Sequence, residues 1–133
     1  MKKAMAFGTF DCLHAGHFKY LKRAKALGDY LVVVVARDRN ARIIKGKNPL
    51  NSEKDRLALV KALSFVDKAV LGDRVVRTWS VIRRHRPSVI ALGYDQWASI
   101  PSLRKELDAL NLNPKIVRVK AYKPEKNKSS MFR

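Results

Sequence analysis

Short apolar runs alternate along this chain with segments in which apolar residues recur at helical spacing. The clearest run, Tyr30–Ala36, contains four consecutive valines, which is typical of a strand buried on both faces. The segment before it, His17–Leu27, places Leu21 and Ala24 on one face of a helix. Strict alternation of this kind restricts the chain to parallel strands joined by right-handed helical crossovers.

The same pattern predicts the other elements. The predicted strands are Ala4–Phe7, Tyr30–Ala36, Val66–Leu71, Val89–Leu92 and Ile116–Val119. The predicted helices are His17–Leu27, one capped by Asn51 or Ser52, Arg74–Arg86 with Val75, Trp79 and Ile82 inward, and one that runs from Ser99 or Ser102 to Leu110. Gly46 and Pro49 make Arg37–Asn51 a basic loop. We therefore expect an α/β fold, a single doubly wound, Rossmann-like domain over residues 1–133 with a parallel five-stranded sheet.

Charge indicates the class of partner. Lys and Arg number 29 against 11 Asp and Glu, and the net charge of +18 attracts nucleotides, phosphorylated metabolites and other polyanions. A solvated basic surface without a specific partner is equally compatible with this charge. No apolar stretch approaches the roughly 20 residues of a membrane span, so we expect no membrane partner. The single cysteine, Cys12, excludes an internal disulfide and favours a cytoplasmic protein.

The segment after the first strand carries the chemistry. Ligands of doubly wound sheets bind beyond the carboxyl ends of the strands, where the strand order reverses. There, Gly8 lets the backbone turn, and His14 and His17 stand at the start of the first helix with Gly16 between them. Two imidazoles and the N–H groups of a helix N-terminus make a site for a polyphosphate whose charge rises during a reaction.

Three other interpretations of this segment compete with a polyphosphate site. The phosphate loop and the Gly-x-Gly-x-x-Gly pattern are absent, which argues against ordinary kinases, GTPases and dinucleotide dehydrogenases. Cys12, His14 and His17 could be zinc ligands, but no fourth ligand is near in sequence, and His85 ends a distant helix. The two histidines could also simply cap and pack the start of the helix.

Residues 8–11, Gly-Thr-Phe-Asp, followed by residues 14–17, His-Ala-Gly-His, resemble the signature of the His-x-Gly-His nucleotidyltransferases. The resemblance spans nearly the whole chain and points to the cytidylyltransferase-like family, which includes glycerol-3-phosphate cytidylyltransferase and short archaeal FAD synthases. It implies that a phosphate on an acceptor attacks the α-phosphorus of a nucleoside triphosphate, so that pyrophosphate leaves without a covalent enzyme intermediate. Family members are often dimers, so the resemblance also implies a possible homodimer.

The resemblance also assigns residues. His14 and His17 are then catalytic groups that contact the α-phosphate and the bridging oxygen, and a flexible catalytic lysine, Lys45 or else Lys47, reaches the phosphates. The nucleotide-binding positions implied by the resemblance, besides the two histidines, are Thr9, Phe10, Ala15, Gly16, Asp95, Tyr122, Ser129 and Ser130. Gln96 is a weaker candidate beside Asp95. Arg56 fits a family position whose role is either acceptor binding or an ion pair at a helix start.

The basic tail, residues 122–133, is expected to complete the nucleotide site but departs from the family pattern. Cytidylyltransferases usually carry Arg-Thr-x-Gly-Ile-Ser-Thr-Thr there, of which only Ser129 and Ser130 remain; Lys123 or Lys126 would replace the arginine as a charge but not as a bidentate fork. This tail is more similar to that of the short archaeal FAD synthases. We therefore predict transfer from ATP to FMN with Mg²⁺ bridging the phosphates, and no protein ligand for the metal.

Two alternatives remain open. The first is the same chemistry with CTP and glycerol 3-phosphate, or another polyol phosphate, as small-molecule substrates. The second, from another class, is a basic module that binds nucleic acid; we disfavour it, because Lys and Arg are scattered and the aromatic residues fall mostly on apolar stripes.

Overall fold

A parallel sheet lies between two layers of helices. The structure, a computed structural model, describes residues 1–75, 78–93 and 100–119. The strands are β1 (Lys3–Gly8), β2 (Tyr30–Val35), β3 (Lys68–Leu71), β4 (Val89–Leu92) and β5 (Lys115–Arg118). The helices are α1 (Ala15–Ala26), α2 (Asp38–Lys45), α3 (Glu53–Lys61), α4 (Ser80–His85) and α5 (Ile100–Ala109). The predicted α/β fold with five parallel strands is confirmed.

The order of the strands in the sheet is β3-β2-β1-β4-β5. The chain starts in the centre with β1, moves outward through β2 to β3, and then returns to the other side of β1 as β4 before it ends at β5. The direction of winding therefore reverses between β1 and β4. In sheets of this type the gap beyond the carboxyl ends of those two strands is where ligands bind.

Both faces of the sheet are covered by apolar side chains. On β1, Ala4 and Ala6 pack towards the layer that holds α1 and α3, whereas Met5 packs towards the layer that holds α4 and α5. All three side chains are fully buried. Because successive residues of a strand point to opposite faces, a strand covered on both sides is apolar throughout, as the valines of β2 are.

Helix α2 occupies part of the segment that the sequence predicted to be a basic loop. Residues Asp38–Lys45 are helical, and Ala41 within this helix is fully buried. Gly46 adopts a left-handed conformation with φ of 77°, and its N–H donates to the carbonyl oxygen of Arg42 at 2.8 Å. The loop prediction for this stretch was wrong because Gly46 ends a helix, as glycine commonly does, rather than interrupting a loop.

Helix α4 begins at Ser80, not at the predicted Arg74. The carboxylate of Asp73 accepts hydrogen bonds from the N–H groups of Ser80 at 2.8 Å and Val81 at 3.1 Å. These bonds satisfy N–H groups that have no partner within the helix and fix its start. Val75, predicted to face inward, lies before the helix and is 62% exposed.

The helices of the described residues are short. Helix α1 has 12 residues, whereas a helix that spans a membrane needs about 20. Within the described part of the chain, no helix is long and apolar enough to cross a bilayer.

Candidate active site

The loop between β1 and α1 starts at the point where the winding of the sheet reverses. Helix α1 begins at Ala15, two residues earlier than predicted, and His14 is its N-cap residue. Phe10, at the start of the loop's bend, has a left-handed backbone conformation with a φ of 56°. The sequence assigned the conformational freedom of this turn to Gly8, but Gly8 has no unusual φ and contributes in another way.

Gly8 makes room for the ring of Phe10. A Cβ atom on Gly8 would lie 2.5 Å from Cζ of Phe10, closer than such atoms approach in proteins. The ring is 2% exposed and meets the ring of His17 edge to face, with centroids 5.4 Å apart. Phe10 therefore packs edge to face against the imidazole of His17, and the absence of a side chain at Gly8 leaves room for the Phe10 ring.

The two histidines lie together, as predicted. Their rings stack with centroids 4.0 Å apart and an interplanar angle of 26°. Nδ1 of His14 accepts a hydrogen bond from the N–H of Gly16 at 3.0 Å, and Nδ1 of His17 accepts one from the N–H of His14 at 3.3 Å. A Cβ on Gly16 would lie 2.8 Å from Cε1 of His14, so glycine is required for this ring position.

These bonds change one part of the prediction. The sequence predicted that the N–H groups at the start of α1 bind a phosphate. In the structure, the N–H of His14 donates to the imidazole of His17, and the N–H of Gly16 donates to the imidazole of His14. The two histidines therefore do cap the start of α1, as one interpretation of the sequence proposed. Capping through Nδ1 leaves a chemical role for these side chains open. A neutral imidazole has one acceptor and one donor nitrogen, so acceptance at Nδ1 assigns the proton to Nε2 in both half-buried rings.

Asp11 ties this loop to the residues that precede α3. Its carboxylate accepts hydrogen bonds from the N–H groups of Leu50 at 2.7 Å and Asn51 at 2.8 Å, and Nδ2 of Asn51 donates to the carbonyl oxygen of Asp11 at 2.5 Å. The hydrogen bond from Leu50, opposed by partial burial, lowers the pKa of Asp11 below its usual 3.8. The carboxylate is therefore charged and engaged in fixing the loop.

Arg56 is the largest fully buried side chain of the described residues. Its Nη1 donates to the carbonyl oxygens of Thr9 and Ala36, each at 2.7 Å. Its Nε donates to the carbonyl oxygen of Asn51 at 3.0 Å, and its Nη2 pairs with Asp38 at 2.6 Å. The sequence predicted either an acceptor-binding role or an ion pair for this residue. The structure shows an ion pair between the buried Arg56 and the partly exposed Asp38, and Arg56 also links the residues that follow β1 and β2.

The other predicted site residues fall into two groups. Lys45 occupies the last turn of α2 and Lys47 follows it; both are exposed, and contact with a triphosphate stays a prediction for each. Thr9 follows β1 and Ala15 is the first residue of α1; both are half-buried, and a nucleotide contact also stays a prediction for each. The remaining predicted residues lie outside the described part of the chain, and their roles stay predictions too. They are Asp95, Tyr122, Ser129 and Ser130, with Gln96 beside Asp95.

Tyr20 belongs to the site but was not among the predicted residues. Its hydroxyl accepts a hydrogen bond from the N–H of Phe7 at 3.1 Å and donates to the carbonyl oxygen of Ala91 at 2.6 Å. The signal in the sequence was its place three residues after His17, which puts both side chains on one side of α1.

The zinc interpretation requires a cluster of side-chain ligands. Within the described ranges, no three His, Cys, Asp or Glu side chains are grouped so that they could hold a metal ion. Cys12 is exposed. The zinc interpretation therefore has no set of ligands in the part of the chain that the structure describes.

Comparison with known proteins adds independent findings. Residues 5–133 match the cytidylyltransferase-like family. The FAD synthase of Thermoplasma volcanium is 46% identical over 133 residues, covering 100% of this chain and 92% of that protein. The FAD synthase of Thermoplasma acidophilum is 45% identical over 135 aligned residues, with the same coverage. The crystal structure of the lipopolysaccharide core biosynthesis protein from Thermoplasma volcanium GSS1, at 45% identity, covers 92% of this chain and 98% of that chain with a TM-score of 0.88.

Proposed function

Because this chain belongs to the cytidylyltransferase-like family and is a nucleotidyltransferase, we propose that its reaction joins ATP and FMN to form FAD and pyrophosphate. An oxygen of the FMN phosphate forms a bond to the α-phosphorus of ATP, and the bond from that phosphorus to the bridging oxygen of the β-phosphate breaks. The names of the relatives support these substrates. The stacked pair of His14 and His17 at the reversal point of the sheet is the structural observation that carries the proposal.

The histidine pair suits the transition state of this reaction. Negative charge develops on the oxygens of the α-phosphate and on the bridging oxygen as the pyrophosphate leaves. With Nδ1 of each ring held by a backbone N–H, the protonated Nε2 atoms of His14 and His17 are donors for those oxygens. Donors that are oriented before the reaction stabilise such charge without a cost of reorganisation.

The protein need not supply a covalent nucleophile, because the FMN phosphate is one. Its task is to align two anionic substrates that repel each other. The net charge of +18 favours the approach of both, and Lys45, or Lys47 in its place, extends the proposed site from the end of α2 towards the phosphates. We propose that the ammonium group of this lysine neutralises negative charge on the phosphates.

Mg²⁺ is the divalent ion of this proposal, and when bound it neutralises charge on the triphosphate. Its ligands would be phosphate oxygens and water, because no three His, Cys, Asp or Glu side chains of the described residues are grouped so that they could hold a metal ion. We infer that Asp95 contacts the ribose or base, that Tyr122 stacks on the base and that Ser129 and Ser130 hold the distal phosphates. The resemblance supports these contacts and a homodimer, whereas the single cysteine, Cys12, supports a cytoplasmic location.

A matrix of substrates tests the proposal. The protein is incubated with Mg²⁺, with ATP or CTP, and with FMN or glycerol 3-phosphate, and both pyrophosphate and the nucleotidyl product are measured. We expect pyrophosphate and FAD in equal amounts with ATP and FMN only. Pyrophosphate from CTP and glycerol 3-phosphate, without FAD formation, would replace the proposed substrates by the runner-up pair.

A further inference from the structure

Strands β1 and β4 part before either of them ends. Their pairing runs from Ala4 opposite Val89 to Ala6 opposite Ala91. On its other edge, β1 stays paired with β2 as far as Gly8. The separation is therefore local to the β1–β4 edge, at the carboxyl ends of the strands, where the winding of the sheet reverses.

A single hydroxyl group stands where the next hydrogen bond of the ladder would form. In a regular parallel pair with this register, the N–H of Phe7 would donate directly to the carbonyl oxygen of Ala91. Instead, the hydroxyl of Tyr20 accepts from that N–H at 3.1 Å and donates to that carbonyl oxygen at 2.6 Å. The phenol oxygen satisfies the hydrogen-bonding needs of both backbone groups while it keeps the two strands apart.

The same side chain links this opening to the histidine pair. Tyr20 lies on α1 three residues after His17, on the same side of the helix. Its two hydrogen bonds therefore fix the first turns of α1 against β1 and against β4 at once.

From this geometry we propose that Tyr20 is a positioning residue for the adenylyl transfer described above, and the proposal rests on that function for its kinetic consequence. Its hydroxyl holds the β1–β4 edge open and sets the place of His17 relative to that edge. Tyr20→Phe leaves the ring and removes the bridge. The strands then either close into a direct Phe7–Ala91 bond or leave both groups unsatisfied, and in each case the first turn of α1 shifts.

Steady-state kinetics of Tyr20→Phe measure this shift. Displacement of a catalytic group by a fraction of an ångström acts on the chemical step, so we expect kcat to fall about 10- to 100-fold. The KM values for ATP and FMN should change by less than about threefold. Tyr30→Phe is the matched control, because Tyr30 lies opposite Lys3 at the amino end of β2, at the other end of the sheet from the separated ends of β1 and β4. The kcat of this variant should equal that of the wild-type protein.

A measurement without ligand separates this proposal from the substrate assignment. In nuclear magnetic resonance spectra, the Phe7 amide and the His17 imidazole should shift in folded Tyr20→Phe and not in Tyr30→Phe. If the wild-type protein makes no FAD, the substrate assignment fails, and these spectra still decide the role of Tyr20. Unchanged His17 signals, or an unchanged kcat in an active protein, would overturn the proposal even if the melting temperature fell.

Discussion

Nη1 of Arg56 lies 2.7 Å from the carbonyl oxygen of Thr9, and this hydrogen bond joins helix α3 to the loop that leads to the two histidines. The same nitrogen donates to the carbonyl oxygen of Ala36, so one buried cation holds the ends of β1 and β2 together. A guanidinium can do this because its donors are fixed in one plane. The geometry of the site therefore depends on a residue that no solvent reaches.

Arg56→Lys should lower the free energy of unfolding by about 2–4 kcal/mol, because an ammonium group cannot replace the planar set of donors and leaves buried acceptors unpaired. Urea denaturation of the wild-type protein and the variant measures this difference. Arg39→Lys, at an exposed position on α2, is the control and should stay within about 0.5 kcal/mol. Equal losses in the two variants would contradict the role given to Arg56.

Replacement of His17 should separate capping from catalysis. In His17→Asn, the side-chain oxygen can accept the N–H of His14 as Nδ1 does now, but nothing remains at the position of Nε2. We expect kcat for pyrophosphate release to fall about 100-fold or more, with the free energy of unfolding changed by less than about 1 kcal/mol. His17→Ala should show the same loss of kcat and a further loss of stability. Full activity in either variant would refute the catalytic assignment.

Gly8→Ala should disturb the site through Phe10. The added methyl group would meet the Phe10 ring at 2.5 Å, and that ring supports His17. We expect a loss of about 1–3 kcal/mol of stability, as for overpacking of a core, together with a lower kcat. The double variant Gly8→Ala, Phe10→Leu provides room for the methyl group and should recover part of the lost stability. Failure of this rescue would mean that the backbone of Gly8, not the Phe10 ring, limits the position.

The stability of the protein should depend on pH through His85. Burial, together with the nearby charges of Lys68, Lys3 and Arg84, lowers the pKa of His85 below 6.5. Its Nε2 is buried and has no hydrogen-bond partner in the described structure. Because the unfolded chain takes up a proton near pH 6.5 and the folded chain does so only at lower pH, the free energy of unfolding should fall as the pH drops below about 6.5.

The His85→Gln variant isolates this effect. It cannot take up the proton, so the difference in unfolding free energy between it and the wild-type protein should be constant above pH 7.5 and should shift in favour of the variant towards pH 5. Urea denaturation at a series of pH values measures this difference. A difference that does not change with pH would show that His85 titrates alike in both states.

The sequence predicted the class of fold and the position of the two histidines at the start of α1, because both depend on local patterns. The buried strand around the valines of β2 and the glycine-histidine spacing after β1 can be recognised within a few residues. Helix α2 was missed because Gly46 suits both a loop and a helix end, and burial of Ala41 against the rest of the protein settles the difference. Val75 was wrongly predicted to face inward because that prediction rested on the spacing of apolar residues alone.

The sequence by itself determined that the strands are parallel, that helices form the crossovers between them and that two histidines lie at the start of the first helix, because residue type and spacing restrict the backbone directly. Only the tertiary structure decided what holds those imidazoles in place. Arg56 meets Thr9 across 47 positions of sequence, and Tyr20 meets Ala91 across 71. Contacts of that separation follow from how the sheet is wound, since a local pattern carries no information about which distant backbone group will lie within hydrogen-bond distance.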